Sequence, residues 1–228
     1  MEKTVAVIGG TGAEGSGLAR RFAKSGLRVL IGSRNLDKAQ AAARQIAAQA
    51  GAGEVTGHTN PDAISKAAIG ILTVPLSAQI ETLKSIRGSF ALGAILVDAT
   101  VPLEIAIGGR LSRTVTLWDG SAAQQAVRLA PGGVRVVAAF HSLSAEALTM
   151  LDQLVDCDVL ICGDSVEAKA SVSELAETIP GVRAIDAGPL ENARFLENSA
   201  ALLVALNLRY KVKHSGMRIT GLGPGGVR

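Results

Sequence analysis

Short apolar runs rich in β-branched residues alternate with longer amphipathic stretches along this chain. A short apolar run predicts a strand, whereas apolar positions three or four residues apart predict a helix. Strands that alternate with helices are typical of an α/β fold with a doubly wound, mainly parallel sheet. The predicted strands are Thr4–Ile8, 27–31, 54–58, 69–74, 94–98, 134–140, 158–162 and 182–186.

Three longer stretches, 12–25, Leu36–Ala50 and 189–210, predict helices. Gly26 is placed to end the first of them in a left-handed turn. The last helix is apolar on most sides, so it must be buried in the core or against a second subunit. Between the fifth and sixth strands, residues 101–126 lack a clear period and predict a long irregular loop, a type of segment that often has a function.

The composition indicates an ordered globular chain. The 228 residues are 48% hydrophobic and 19% charged, so a sizeable core can form. Aromatic residues make up 3% of the chain and the formal net charge is +3, which is too little of either to predict a nucleic-acid partner. No apolar run approaches the roughly 18 residues of a membrane-spanning helix, so no membrane partner is expected.

The two cysteines, Cys157 and Cys162, have neither the spacing of a metal motif nor the number needed for a disulfide framework. Because they are five positions apart on one predicted strand, their side chains should face opposite sides of the sheet. Buried free thiols are the expected state, and they fit a reducing, cytoplasmic setting. No bound metal is expected.

A glycine-rich turn follows the first strand. Gly10, Gly12 and Gly15 form the pattern G-x-G-x-x-G, with Gly9 as an additional glycine before it. Missing Cβ atoms allow a pyrophosphate to approach the backbone, and the helix that follows offers free N–H groups to the anion. This context predicts dinucleotide binding; the alternative is a purely structural turn. Glu14 would repel a pyrophosphate, so we expect it to point to solvent or to contact another group.

The tip of the second strand carries cationic rather than acidic side chains. An NAD enzyme usually places Asp or Glu here to hold the adenosine ribose. This chain has Gly32, Ser33 and Arg34 instead, with Lys38 nearby. Arginine can donate two hydrogen bonds to one phosphate and lysine adds a point charge, so the sequence predicts NADP rather than NAD. The alternative is that Arg34 and Lys38 are solvated surface charges.

Two further segments lie at predicted carboxyl ends of strands, where parallel sheets bind ligands. Val74 ends the fourth predicted strand and Pro75 follows it, at the loop that passes under the nicotinamide ribose in folds of this type. His141 follows the apolar strand 134–140 and could hydrogen-bond a ligand carbonyl. A histidine that only caps the strand is the alternative. The expected fold class is therefore α/β, Rossmann-type, with a small C-terminal helical portion.

At this point the chain resembles a known family, the NADPH-dependent coenzyme F420 reductases, also called F420:NADP oxidoreductases. The matching pieces occur in the family's order over almost the whole chain, whereas 101–126 matches poorly. They are Gly9-Gly10-Thr11-Gly12 with Gly15, Gly32-Ser33-Arg34, Thr73-Val74-Pro75, Cys162-Gly163-Asp164, Asp186-Ala187-Gly188-Pro189-Leu190 and the tail Gly216-Met217-Arg218-Ile219-Thr220-Gly221-Leu222.

The resemblance implies reversible hydride transfer between the nicotinamide C4 of NADP(H) and C5 of coenzyme F420, an 8-hydroxy-5-deazaflavin. Direct transfer between two such carriers requires positioning and electrostatics, not a nucleophile or a metal. The NADP contacts that the resemblance implies, around Gly10 and Gly15 of the turn, are Thr11, Gly12, Ala13, Glu14, Ser33, Arg34 and Lys38, with Val74 and Pro75 near the nicotinamide.

The resemblance also implies a hydride-transfer cleft beside residues 141–145. Ala145 would orient the carboxamide through its backbone, and His141 is a possible positioning residue. Ser215, Gly216 and Met217 would close over the ring system.

We expect residues 1–145 to form the NADP-binding domain. Residues 146–228 would complete the deazaflavin cleft and contact a second copy in a homodimer. The expected ligands are small-molecule redox carriers. Three alternatives remain open: another NADP-dependent reductase acting on a flavin, ferric iron or an imine; a non-catalytic NADP sensor; and a structural subunit whose glycine turn is vestigial.

Overall fold

A computed structural model describes residues 4–222 of the chain. Within this range eight strands form one sheet in the order β3-β2-β1-β4-β5-β6-β7-β8. The strands are β1 (Thr4–Ile8), β2 (Arg28–Ser33), β3 (Val55–Thr59), β4 (Ile69–Leu72), β5 (Ile95–Asp98), β6 (Arg135–Ala138), β7 (Cys157–Gly163) and β8 (Val182–Asp186).

Helices connect most of these strands, as crossovers between parallel strands require. The α-helices between residues 4 and 222 are α1 (Ala13–Lys24), α2 (Leu36–Ala50), α3 (Asn60–Ser65), α4 (Leu76–Ile86), α5 (Ala122–Leu129), α6 (Ala145–Thr149), α7 (Val166–Glu177) and α8 (Ala193–Tyr210). Short 3₁₀ turns lie at Arg87–Ser89, Glu104–Ile107 and Leu190–Asn192. None of the helices in the described range is long and apolar enough to cross a bilayer.

The sheet is mainly parallel and doubly wound, so the predicted α/β, Rossmann-type fold class is confirmed. Strand β1 pairs in parallel with both β2 and β4. The strand order therefore reverses at β1, with β2 and β3 on one side of it and β4 to β8 on the other. The crevice at such a reversal, outside the carboxyl ends of the strands, is where this type of sheet binds ligands. Only the β6–β7 pair is antiparallel among the described strands, and it joins just two residue pairs.

Alternating side chains of the central strands build a hydrophobic core on each face of the sheet. Val5 and Val7 belong to one buried cluster, and Ala6 and Ile8 to the other. The predicted opposite orientation of the two cysteines is confirmed, because Cys157 and Cys162 also lie in different clusters and both are free thiols. Gly26, with φ +86°, ends the first helical region in the predicted left-handed turn.

The structure corrects several predicted boundaries. Strands β4 and β6 end two residues earlier than predicted, at Leu72 and Ala138. The predicted irregular loop contains a 3₁₀ turn, and α5 begins inside it at Ala122. Each of these segments is short or runs on into a buried connection, so periodicity cannot place its boundary.

Candidate active site

The turn between β1 and α1 is built by closely packed glycines. Gly9 has φ +82°, and a Cβ there would lie 2.8 Å from Val74 Cγ1. A Cβ on Gly15 would lie 2.4 Å from Thr73 Oγ1, so the glycine lets α1 pack against the end of β4. Gly10 is buried in the turn, and its N–H donates to the Gly32 carbonyl at 3.2 Å. The glycine that requires a left-handed backbone is therefore Gly9, which precedes the G-x-G-x-x-G pattern.

The first turn of α1 is open to an anion. Gly12 is the N-cap residue and provides no side-chain hydrogen bond to the helix. Thr11, Gly12 and Ala13 are exposed. Backbone N–H groups at an uncapped helix N-terminus carry a partial positive charge. The backbone at this point can hold a pyrophosphate.

Glu14 does not point freely to solvent, so the first of its two expected arrangements is wrong; contact with another group stays a prediction. Its side chain is half-buried, and burial, followed by repulsion from Asp98, raises the pKa of Glu14 to about 8. At neutral pH the carboxyl is therefore mostly protonated and carries little negative charge. This removes the electrostatic conflict between Glu14 and an anion at the first turn of α1.

The tip of β2 presents two cations without counter-ions. Arg34 and Lys38 are exposed, and neither forms an ion pair with any carboxylate in residues 4–222. Ser33 is buried and its Oγ accepts from the Asn35 N–H at 3.2 Å, while Asn35 caps α2. The capped helix holds Lys38 in its first turn. Two free cations beside a hydroxyl suit an additional phosphate group.

A cleft of about 180 Å³ joins the glycine turn, the β2 tip and the loop after β4. It brings together six predicted site residues, and adds Asn60, Thr73, Ala78 and Thr82, which the sequence reasoning missed. The Asn60 Oδ1 atom is buried without a hydrogen-bond partner, so it is an available acceptor. Its position two residues after the third predicted strand is the signal that could have identified it. The predicted residues in this cleft are Thr11, Gly12, Ser33, Arg34, Val74 and Pro75.

A buried polar network lies at the carboxyl end of β5, and sequence reasoning missed it too. Asp98 is fully buried, and it accepts from the Thr100 N–H at 2.7 Å and from Gln79 Nε2 at 2.5 Å. Burial outweighs these two hydrogen bonds and raises the pKa of Asp98 to about 6. Gln79 also accepts from Gln125 Nε2 at 2.6 Å. Asp98 directly follows the apolar run of its strand, which is the available sequence signal.

Glu197 of α8 joins the same region. Its carboxyl oxygens accept from the N–H groups of Ala122 and Ala123 at 3.1 and 3.2 Å, so it caps α5 from another helix. Burial raises the pKa of Glu197 to about 8 despite these hydrogen bonds, and the charge of Asp98 adds to the shift. Glu197 is therefore mostly neutral at pH 7.

His141 lies in the buried loop that follows β6. Phe140 before it has φ +74°, and the His141 side chain is buried. Neither ring nitrogen makes a well-formed hydrogen bond, although the Thr100 backbone is the group that approaches the ring. Burial lowers the pKa of His141 to about 4, so the imidazole is neutral at pH 7. The Thr100 Oγ1 atom is likewise buried without a partner, so this region holds unsatisfied polar atoms that a ligand could bind.

Two of the remaining predicted residues line a second cavity of about 130 Å³. Ser215 and Gly216 line it together with Ser142 and Ser144 from the loop after β6. The Met217 carbonyl accepts from the Asp158 N–H at 2.8 Å, which places the C-terminal segment on β7. Ala145 is half-buried at the start of α6. No group of three or more metal-ligating side chains occurs in the described part of the chain.

Comparison with known proteins places these features in a family. The family described as "NADP oxidoreductase coenzyme F420-dependent" matches residues 4–102. An F420-dependent NADP reductase of Methanothermobacter thermautotrophicus is 49% identical over 225 residues, covering 97% of both chains. A reductase with the same name from Methanocaldococcus jannaschii is 40% identical over 222 residues, covering 96% of this chain and 98% of the relative.

Solved structures show the same fold. The crystal structure of a protein from Arthrobacter sp. FB24, described as a possible F420-dependent NADP reductase, superposes with a TM-score of 0.81 at 21% identity, covering 96% of this chain and all of the other. A reductive aminase from Aspergillus terreus superposes with a TM-score of 0.60 at 20% identity, covering 92% of this chain and 63% of that enzyme. From its near-full-length sequence similarity, the chain belongs to the family of F420-dependent NADP reductases.

Proposed function

We propose that this protein is an oxidoreductase that transfers hydride reversibly between NADP(H) and coenzyme F420. The observation that carries the proposal is the 49% identity over 97% of the chain to an F420-dependent NADP reductase. Arg34 and Lys38 support the choice of NADP. Neither forms an ion pair with a carboxylate in residues 4–222, so both are available to bind a phosphate.

The residues of the first cleft would bind NADP(H). The open first turn of α1 would hold the pyrophosphate, with Thr11, Gly12, Ala13 and a protonated Glu14 around it. The packed glycines Gly10 and Gly15 keep this turn close to the ligand. Ser33, Arg34 and Lys38 would bind the additional phosphate, whereas Val74 and Pro75 would lie at the nicotinamide end of the cleft.

The residues that would hold the deazaflavin come from the loop after β6 and from the C-terminal segment. Neutral His141 can donate or accept a hydrogen bond at its free ring nitrogens, so it would position a polar edge of the ring. Ala145 would orient the carboxamide through its backbone. Ser215, Gly216 and Met217 would close the site, where Ser215 and Gly216 already line the second cavity.

The chemistry needs two bound carriers and no group on the protein that forms a bond. When both are bound, NADPH supplies a hydride from C4 and the deazaflavin accepts it at C5, and a proton from solvent completes the reduced deazaflavin. The protein contributes orientation and the exclusion of water.

We assign NADP binding to residues 1–145, and to residues 146–228 the completion of the deazaflavin site and contact with a second copy. Residues 1–3 and 223–228 lie outside the described range. A homodimer is supported by exposed apolar side chains on α8 and on the loop 101–121, which analytical ultracentrifugation would test. These apolar side chains are Phe195, Leu202, Leu208, Ile105, Ile107, Leu111 and Trp118.

Free, buried Cys157 and Cys162 support a cytoplasmic location.

The decisive experiment is anaerobic mixing of the purified chain with NADPH and oxidised coenzyme F420. We expect the visible absorbance band of the oxidised deazaflavin to disappear, with much slower loss when NADH replaces NADPH. FMN, ferric iron and a cyclic imine serve as competing acceptors. Turnover of one of these but not of coenzyme F420 would contradict the proposal, and tight NADP binding without any turnover would indicate a sensor.

A further inference from the structure

The C-terminal segment after α8 is held in place by contacts with other parts of the chain, since it forms neither a helix nor a strand. Residues 211–222 have no regular secondary structure, yet they lie along the first half of β7. Strand β6 reaches β7 only at Cys162 and Gly163, so the earlier residues of β7 have an open edge. The C-terminal segment and the loop after β6 cover that edge.

Asp158 connects both of these segments to β7 through its backbone. Its N–H donates to the Met217 carbonyl at 2.8 Å. Its carbonyl accepts from Ser142 Oγ at 2.7 Å. One residue of the strand therefore holds the C-terminal segment and the loop that contains His141.

The Asp158 carboxylate adds four further hydrogen bonds. Oδ1 accepts from Arg183 Nε at 2.9 Å and from Arg218 Nη1 at 2.7 Å. Oδ2 accepts from Arg183 Nη2 and from the Ile219 N–H, both at 2.6 Å. Burial acts to raise the pKa of Asp158, but these donors lower it to about 2. A fully buried carboxylate thus remains charged and holds Arg218 and Ile219 in place.

The contacts converge on the second cavity. The Ser144 hydroxyl donates to the Lys213 carbonyl at 2.6 Å, which joins the loop after β6 to the C-terminal segment a second time. A Cβ on Gly216 would lie 3.1 Å from Cys157 Sγ, so this glycine lets the segment sit directly on β7. Ser142, Ser144, Ser215 and Gly216 consequently face one cavity from two distant parts of the chain.

We propose that Asp158 is a positioning residue for coenzyme F420, because it fixes the C-terminal segment against the loop after β6 and so shapes the wall of the deazaflavin site. This inference rests on the proposed function. Asp158 does not touch the first cleft, whose lining residues come from other parts of the chain. The cost of losing it should therefore fall on coenzyme F420 and not on NADPH.

The test measures KM separately for the two carriers in D158N and R218A. In R218A the Arg183–Asp158 pair can persist, so this variant keeps the proposal testable if D158N fails to fold. We expect KM for coenzyme F420 to rise at least about fivefold and KM for NADPH to change less than about twofold. R218K, which keeps a cation beside Asp158, should recover part of the loss.

The matched control is R28A. Arg28 is 43% exposed at its side chain and pairs with Glu54, much as Arg218 is 37% exposed and pairs with Asp156. Arg28 begins β2 and so lies at the amino end of the sheet, away from both cavities. R28A should leave both KM values unchanged. Equal changes in the two KM values in R218A, or no change in either, would overturn the inference.

A second measurement is limited proteolysis with trypsin. The exposed Lys211 and Lys213 are trypsin sites in the C-terminal segment. We expect coenzyme F420 to slow cleavage after them and NADP⁺ alone to have no effect, whereas R218A should be cleaved faster than the unmodified chain. Failure of coenzyme F420 to protect the segment contradicts the positioning role. Failure of the unmodified chain to reduce coenzyme F420 would instead refute the proposed function, so the two failures are distinguishable.

Discussion

Two cationic side chains lie at the tip of β2 and two lie around the start of β7, but only the second pair binds a carboxylate. Arg34 and Lys38 form no ion pair within the described residues, whereas Arg183 and Arg218 both bind Asp158. The first pair is exposed at the mouth of a cleft, and its charges are available to a ligand phosphate. The second pair binds a carboxylate of the protein itself, so its charges stabilise the fold.

Burial explains why the two regions differ. Asp158 is fully buried and an unpaired carboxylate there would be costly, so the arginines are required by the folded chain itself. At the β2 tip water solvates the cations, and leaving them unpaired costs little. The comparison predicts that a change at Asp158 lowers stability, whereas a change at Arg34 lowers the affinity for NADPH.

The largest expected effect is on the stability of D158N. Removing one member of a buried ion pair typically costs about 3–5 kcal/mol; since both arginines are partly exposed, we expect a loss of about 3 kcal/mol in the free energy of unfolding. Urea-induced unfolding at pH 7 measures it, and R28A is the control, with an expected loss of less than about 1 kcal/mol. Equal losses in D158N and R28A would remove the distinction between the two regions.

Acid titration sharpens the same comparison. The folded pKa of Asp158 is about 2, below its ordinary value of 3.8. Its contribution to stability is therefore fully present above about pH 4 and is lost as the pH falls through 2. The shift corresponds to about 2 kcal/mol. We expect the stability difference between the unmodified chain and D158N to shrink over this range, and a constant difference would contradict the assigned pKa.

R34A tests the other region. Losing a charged hydrogen-bond donor to phosphate costs on the order of 1.5–3 kcal/mol, so the Kd for NADPH should rise about tenfold to a hundredfold. The Kd for NADH and the midpoint of unfolding should stay the same, because Arg34 forms no ion pair with a carboxylate in residues 4–222. Fluorescence titration with both nucleotides measures these constants. Equal weakening of NADPH and NADH would show that Arg34 does not read the additional phosphate.

The smallest expected effect concerns Glu14 and the pH dependence of the Kd for NADPH, which E14Q tests. Since the pKa of Glu14 is raised to about 8, its carboxyl is neutral at pH 7 and ionises as the pH rises through that value. The Kd for NADPH of the unmodified chain should then increase by about threefold between pH 7 and 9, as a negative charge appears at the first turn of α1. E14Q should lack this increase. Parallel pH profiles for the two proteins would refute the raised pKa.

Sequence reasoning predicted most of the sheet. All eight predicted strands exist, and the long helix α2 was predicted to the residue, because a strongly periodic pattern is a local property. Short helices such as α3 and α6 were not identified, since five or six residues do not complete two helical turns. The 3₁₀ turn Leu190–Asn192 likewise separates α8 from the predicted start of its helix at residue 189.

The candidate site was predictable in part for the same reason. The glycine turn and the β2 tip are contiguous segments whose proposed ligand contacts depend on backbone geometry and charge, so their residue types can be recognised in the sequence alone. Asp98 and Glu197 were missed because their role depends on helices that pack around them. No local pattern shows that Glu197 of α8 caps α5.

The sequence by itself determined the order of strands and helices along the chain, the glycine turn and the cationic tip, because each arises among residues that are neighbours along the chain. Only the tertiary structure decided which charged side chains remain unpaired and which form ion pairs within the protein. Asp158 receives its partners from Ser142, Arg183 and residues 217–219, and hydrogen bonds form between whichever donors and acceptors the fold brings within about 3 Å. The positions of these residues along the chain do not show that they lie close together in the folded protein.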